Sequence, residues 1–218
     1  MTGKELHSMT DDRRVWEEAY QRRGQLWSGA VPPLPALPRH ARVLELGCGN
    51  GKTFFALLQK GWDAVALDFS KTAVKTARSH ITNVDSADCI LADARSIPFR
   101  PASFDAVFAW HILGHMMEPD RARVARQIGR ILKPGGLVLF SEFSCDDFRY
   151  NHGTSLEEGT FLRGTAISTH YFTEPETRSL FPDLSCISFR MHRWELKVRQ
   201  KNYARSEIQA VFQMQSLS

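Results

Sequence analysis

Cysteine is scarce and scattered. Residues 48, 89, 145 and 186 form no C-x-x-C pair among 218 residues. This pattern argues against a zinc knuckle or a disulfide framework and predicts a reducing compartment. Long apolar runs are missing too, and none approaches the ~20 residues needed to span a bilayer. The N-terminal MTGKELHSMTDDRR lacks the apolar core of a signal peptide. The expectation is a cytoplasmic soluble protein with no membrane partner. Despite a net charge of +4, there is no Lys/Arg tract, so a nucleic-acid partner is not expected. The densest basic stretch, Arg121, Arg123, Arg126 and Arg130, has near-helical spacing and predicts a solvated helix face. Repeats and low-complexity segments are absent.

What is present divides at about residue 40. Residues 10 to 23 have helical spacing, with Thr10 as a cap and Val15, Trp16, Ala19 and Tyr20 on one side. The connector GAVPPLPALPRH cannot be helical. Residues 1–40 are therefore an attachment to a domain spanning 41–218. From Ala41 the pattern alternates strand and helix. RVLEL, WDAVALD, CILAD, FDAVFAW and LVLFSEF are apolar strands, separated by helices over 52–60, 71–80 and 119–132. Ser70 is placed to cap the second of these, and Lys133-Pro134-Gly135-Gly136 ends the third. Continuous apolar strands alternating with amphipathic helices predict an α/β, doubly wound, mostly parallel sheet.

Residues 144 to 172 contain no evident strand or helix but carry Phe148, Tyr150, Phe161, Tyr171 and Phe172. So long a segment, rich in aromatics, predicts a cover over a pocket. Thr173 and Glu176 form a capping box opening a short helix. LSCISFRMHRWELKVRQ and SEIQAVFQM then predict a C-terminal antiparallel hairpin turning near Lys201-Asn202. A slip of apolar phase between Met191 and Trp194 predicts a bulge.

The stretch VLELGCGNGKT, residues 43 to 53, carries the first chemical signal. It ends like a nucleotide-binding P-loop, G-x-x-x-x-G-K-[ST], but the position of the first glycine holds Leu46. A dinucleotide G-x-G-x-x-G pattern fails at Lys52, which leaves a nicotinamide enzyme off pattern. The second strand ends in Asp68, 21 residues beyond Gly47. A carboxylate there faces the same crevice as the glycines and can accept both hydroxyls of a ribose. Asp93 ends the third strand, placed to receive an amino group such as that of adenine.

ELGCGNG, the VALDFS strand end, LADA, FDAVFAWHIL and LKPGGLVLFSEF together resemble the successive motifs of class I S-adenosylmethionine-dependent methyltransferases. The resemblance covers about residues 41 to 143 and is most similar to the small-molecule branch, including ubiquinone-methylase-like and tellurite-resistance-type enzymes. It implies a Rossmann-like seven-stranded sheet and S-adenosylmethionine as cofactor. It also implies that Glu45 and the loop Gly47, Cys48, Gly49 and Gly51 hold the methionyl part. Asp68 would bind ribose, Phe69 would pack on adenine, and Asp93 with the Ala94 backbone would read the adenine edge. The backbone near Ala109 would meet the methionyl amine, and Lys52 would point to solvent.

In-line methyl transfer needs alignment and exclusion of water, not a covalent intermediate. Trp110, His111 and His115, at the fourth strand tip, are placed to touch the acceptor. One histidine can remove a proton or hydrogen-bond the acceptor. His111 and His115 form an i, i+4 pair, but no third metal ligand is evident, so no metal is expected. Tyr20 and Trp27 would form an N-terminal helical lid whose aromatic faces suit a sulfonium, while Trp16 docks the helix. His152, Arg163, His170 and Tyr171 would close the acceptor side. The expected partner is a small-molecule methyl acceptor, on a monomer or homodimer. RNA or protein methylation and a non-catalytic nucleoside-binding scaffold are the alternatives. The Asn/Asp-Pro-Pro-Tyr/Phe element found in methylases of base amines is replaced here by AWHI.

Overall fold

The computed structural model describes residues 9–23, 26, 31–79, 81, 87–164 and 166–216. The expected Trp27 lid contact lies outside them. Helix α1 (Met9–Arg23) comes first, and residues 31–38, in no helix or strand, precede β1 (Arg42–Leu46). Next are α2 (Lys52–Leu58), β2 (Asp63–Asp68), α3 (Lys71–Ser79), β3 (Ala87–Leu91), β4 (Phe104–Trp110), α4 (Glu118–Ile131) and β5 (Leu132–Phe143). The strands pair in the order β3-β2-β1-β4-β5, all parallel. A hairpin of β9 (Leu184–Val198) and β10 (Lys201–Met214) completes a seven-stranded sheet, with β10 antiparallel to β5.

Apolar residues on both strand faces dictate this layering. One core layer joins Val43, Ala64, Ala66 and Phe108 to Phe54 and Leu57 of α2 and Val74 and Ala77 of α3. The other joins Leu44, Leu67, Val107 and Phe140 to Val124, Ile128 and Ile131 of α4. The sheet order reverses between β1 and β4, and the carboxyl ends of these two strands open the crevice where an open α/β sheet binds ligands. Ser70 caps α3 as expected, its Oγ accepting from the Ala73 N–H at 3.1 Å. Among the described residues no helix is long and apolar enough to cross a membrane.

The structure departs from the sequence reading in several places. Residues 144 to 172 are not without elements: β6 (Thr154–Glu157), β7 (Thr160–Arg163) and β8 (Ile167–His170) form a separate antiparallel sheet. These four-residue strands are too short and polar to show a period. The hairpin turns at Arg199 and Gln200, both at positive φ (46° and 65°). Neither residue type announces such a turn. Its bulge falls at Ile187, opposite Val211 and Phe212, not between Met191 and Trp194. Finally, the basic face of α4 is only partly solvated. Arg121 is buried and pairs with Glu157 at 2.6 Å, while Arg130 donates to the carbonyls of Phe99 and Ile97.

Helix α5 (Glu174–Ser179) begins at Thr173, whose Oγ1 accepts from the Glu176 N–H. The Glu176 carboxylate does not reach back to complete a capping box; it bonds His170 Nε2 at 2.8 Å.

Candidate active site

The chain leaves β1 through Gly47, Gly49 and Gly51 at φ of 68°, 52° and 85°. Left-handed backbone favours glycine there, and so do the neighbours. A Cβ on Gly49 would lie 2.7 Å from the Tyr20 hydroxyl, and one on Gly47 would lie 3.0 Å from Ile112. Gly51 serves packing: a Cβ there would meet Ala77 of α3 at 3.1 Å, and the residue caps α2. It does not line the cavity.

Asp68, at the tip of β2, is buried and accepts from the Gly49 N–H at 2.9 Å and the Ser70 N–H at 2.8 Å. Burial raises its pKa, against the pull of these hydrogen bonds. Glu45 is buried beside it, and the nearby Thr53 hydroxyl and Phe54 N–H favour its ionised form. Its Oε2 nevertheless has no partner among the described residues. Burial, reinforced by the Asp68 charge, pushes Glu45 up to about 8. Two buried acids and an orphaned carboxylate oxygen, flanking a glycine loop, form a site that is more stable with a cation in it.

Two adjoining cavities open here. The larger, about 940 Å³, is lined by Glu45, Gly47, Cys48, Gly49, Lys52, Trp110, His111, His115, Phe143, Glu207 and one side of α1. Lys52, half-buried, is among its lining residues. The smaller, about 80 Å³, is lined by Asp68, Phe69, Asp93, Ala94 and Arg95. Trp16, Tyr20, Gly47, His111 and His115 line both. The structure thus gathers most of the sequence-predicted site residues on one continuous surface. Ala109 is an exception among those assigned to the cofactor: it is fully buried within β4, between Leu46 and Phe140 on the neighbouring strands.

The Asp93 carboxylate is already engaged. It accepts from the Arg95 N–H at 2.9 Å and from the Arg95 guanidinium at 2.7 Å. Burial raises its pKa, but the Arg95 bonds outweigh that and leave it below the ordinary value. Arg95 also bonds Asp120 at 3.0 Å, tying the β3 tip to α4.

Helix α1 closes this surface. Its Glu17 accepts from the Ser70 hydroxyl at 2.7 Å and from the Thr72 hydroxyl and N–H, at the start of α3. Although partial burial opposes it, these bonds hold Glu17 down to about 2. Arg13 donates to the Phe69 carbonyl at 2.9 Å. Trp16, expected only to dock the helix, also lines both cavities and sets its ring against His115 at 4.9 Å.

At the tip of β4 the two histidines differ. His115 Nδ1 faces the Ser168 carbonyl at 2.8 Å. A carbonyl only accepts, so Nδ1 carries the proton and Nε2 keeps its lone pair. Burial pushes its pKa down to about 4, so the ring is neutral at pH 7. His111 has φ 52°, a strained value for a side-chain-bearing residue. Its Nε2 is 3.4 Å from Glu207 and its Nδ1 3.9 Å from Glu142. Glu207 comes from β10, directly opposite Phe143 in the sheet. Glu142 is buried and accepts from the Gly114 N–H at 2.9 Å. Burial pushes it up to about 7, against the pull of His111.

The expected acceptor contacts separate. Trp110 lines the larger cavity, its ring edge-on to Phe108. His152 is exposed and contacts only its neighbouring loop through the Tyr150 carbonyl. His170 is buried between Thr160 and Glu176, and Tyr171 is buried against Phe143 and Phe161. None of these last three lines the cavity: β8 alternates, and its inward positions are Ile167 and Thr169. Sequence reasoning passed over Glu142, Phe143, Arg149 and Glu207. The first two end an evident strand and were within reach of a strand-tip argument. Glu207 depends on the pairing of a distant hairpin, which no local pattern reveals. Among the described residues no group of three or more His, Cys, Asp or Glu side chains is placed to hold a metal ion.

Residues 44–140 match the family model of a methyltransferase domain. A solved SAM-dependent methyltransferase from Methanosarcina mazei superposes with TM-score 0.71 at 25% identity, covering 83% of this chain and 95% of that one. The tRNA N(3)-cytidine methyltransferase of Gallus gallus is 31% identical over 64% of this chain and 41% of its own length. The demethylmenaquinone methyltransferase of Clavibacter sepedonicus is 35% identical over 55% of this chain and 48% of its own. The chain thus spans about half the length of the curated relatives it matches. With these likenesses, residues 44–140 are a methyltransferase domain similar to those of class I S-adenosylmethionine-dependent enzymes, with S-adenosylmethionine as the cofactor.

Proposed function

We propose that the protein methylates a small-molecule acceptor through a hydroxyl or thiol, by direct displacement. The observation that carries this reading is the orphaned Glu45 oxygen, which shares a cavity with His111. S-adenosylmethionine supplies an electrophilic methyl group on a sulfonium sulfur. Glu45 and the glycine loop hold the methionyl ammonium, and Asp68 takes the ribose hydroxyls. Phe69 packs on adenine, and Ala94 N–H lies at its edge.

His111 would accept the proton that the hydroxyl or thiol gives up on taking the methyl group, which the bound sulfonium would supply. General-base help of this kind contributes roughly 10²–10⁴-fold, and alignment on the order of 7–11 kcal/mol. Tyr20 and Trp16 close the cavity from α1, and the small sheet β6–β8 covers the acceptor side. Both elements exclude water. His115, neutral and fixed by Ser168, shapes the pocket between cofactor and acceptor.

Calorimetry with S-adenosylhomocysteine tests the cofactor half: wild type should bind, while Glu45→Gln and Asp68→Ala should each weaken binding about tenfold or more. No binding by wild type would leave only a scaffold. The tRNA-methylating relatives support a second reading, with Arg14, Arg22 and Arg23 of α1 along the cavity rim meeting RNA phosphates. An RNA affinity that falls steeply with salt would favour it.

A further inference from the structure

The acceptor end of the cavity is electrically unbalanced. Phe143 forms part of its wall, and two guanidinium groups stack on that ring: Arg149 at 3.9 Å from the centroid and Arg205 at 4.7 Å. Both arginines draw on the same carboxylate. Asp147, whose side chain is fully buried, accepts from Arg149 Nε at 2.7 Å and from Arg205 Nε at 2.7 Å. Burial opposes its ionisation, yet the two arginines hold its carboxyl below the ordinary value. One anion between two cations leaves a positive remainder. Arg205 Nη2 is buried with no acceptor among the described residues.

At the end of β7 stands Arg163. It is half-buried, lines the cavity with Arg149, and makes no hydrogen bond or ion pair with a described residue. The nearby carboxylates do not answer this charge, since Glu207 and Glu142 both face His111. A half-buried guanidinium with no carboxylate at ion-pair distance gives up part of its hydration for nothing, unless a ligand supplies the anion. Its planar fork matches a carboxylate or phosphate better than any neutral group.

Resting on the methyl-transfer reading above, we propose that the acceptor carries an oxyanion, a carboxylate or a phosphate, read by Arg163 with Arg149. Its methylatable hydroxyl or thiol then points the other way, toward His111. Phe143 and Ile167 supply the apolar walls between these two ends.

The test uses the full chain saturated with S-adenosylhomocysteine, titrated calorimetrically with four probes of one shape. These are 4-hydroxybenzoate, 4-hydroxyphenyl phosphate, neutral 4-hydroxybenzyl alcohol and cationic tyramine. At least one anionic probe should bind about tenfold or more tighter than the alcohol, with tyramine weakest. The order of the two anions identifies which oxyanion is read. Arg163→Met should remove that advantage while leaving the alcohol and S-adenosylhomocysteine unaffected, and Arg163→Lys should recover part of it. Equal affinity for anion and alcohol, binding of none of the probes, or an anion advantage that survives Arg163→Met would overturn the proposal. So would a structured RNA that outcompetes every probe and depends on Arg163, because the wall would then be reading nucleic-acid phosphate. Failure of S-adenosylhomocysteine itself to bind would instead bring down the methyl-transfer reading.

Discussion

Replacing Gly49 by alanine would place a methyl carbon 2.7 Å from the Tyr20 hydroxyl, at a backbone φ of 52°. Two separate penalties follow. A left-handed conformation costs alanine about 1–2 kcal/mol. Forcing a methyl into an occupied contact costs about 1–3 kcal/mol more. The second penalty belongs to a single atom, because the next Tyr20 atoms, Cζ and Cε1, lie at 3.5 and 3.7 Å, ordinary contact distances. Tyr20→Phe should therefore cancel the overpacking but not the backbone strain.

Thermal denaturation of the four proteins in this cycle provides the measurement. Gly49→Ala should lower the melting temperature by about 6–12 °C, taking about 3 kcal/mol at 2–4 °C per kcal/mol. The double variant should recover roughly half of that, a coupling of about 1–3 kcal/mol. S-adenosylhomocysteine affinity should follow the same pattern, since α1 relieves the clash by lifting from the cavity it closes. Strict additivity would refute the reasoning, because it would mean that Tyr20 does not rest on the glycine loop.

Three further outcomes are expected. Tyr171→Phe removes a buried hydroxyl with no partner among the described residues and should leave stability unchanged or raise it by about 1 kcal/mol in urea unfolding; a clear loss would show a missed hydrogen bond. Glu17→Ala removes the carboxylate that ties α1 to Ser70 and Thr72, and should speed S-adenosylhomocysteine release about tenfold in stopped flow; an unchanged rate would show that the helix is held elsewhere. Glu142 and His115 should tilt the pH dependence of stability in opposite senses. Glu142, raised by burial from 4.5 to about 7, keeps its proton longer when folded, so its contribution falls as pH rises across that window. His115, lowered by burial from 6.5 to about 4, resists protonation when folded, so its contribution falls as pH drops across that window. Relative to wild type, Glu142→Gln should gain stability from pH 4.5 to 7, and His115→Asn should gain it from pH 6.5 to 4. Each gain is about 3 kcal/mol at most. Differences that stay constant with pH would contradict both assignments.

The central sheet was legible because its information is local. Each of β1, β2, β4 and β5 is a continuous apolar run, and each helix between them shows its own period, so doubly wound order follows from chain order alone. Asp68 is legible for the same reason: it ends β2, and its chemistry needs only the position of one acid relative to one glycine loop. Where local signals weaken, the reading failed. Strands β6 to β8 have four residues each, and their stability comes from docking beside His115 and Arg121, not from any pattern within them. The same is true of Arg121, which helical spacing places on a solvated face. It is buried because Glu157, 36 positions later, folds back to meet it.

The acceptor site failed in a more instructive way. His152, His170 and Tyr171 are polar or aromatic members of the segment 144–172, but side chains along a strand alternate. In β8, Ile167 and Thr169 face inward while His170 turns to Glu176. Position in the chain locates the element, and only its pleat decides which residues line the cavity. Glu207 makes the complementary point. It reaches His111 because β10 runs antiparallel to β5 in the register that sets Glu207 opposite Phe143. A slip of one residue would turn Glu207 to the other face of the sheet and bring Ile208 to its place. The His111 end of this site therefore depends on strand register, so changes that shift the C-terminal hairpin should part Glu207 from His111 without touching the histidine.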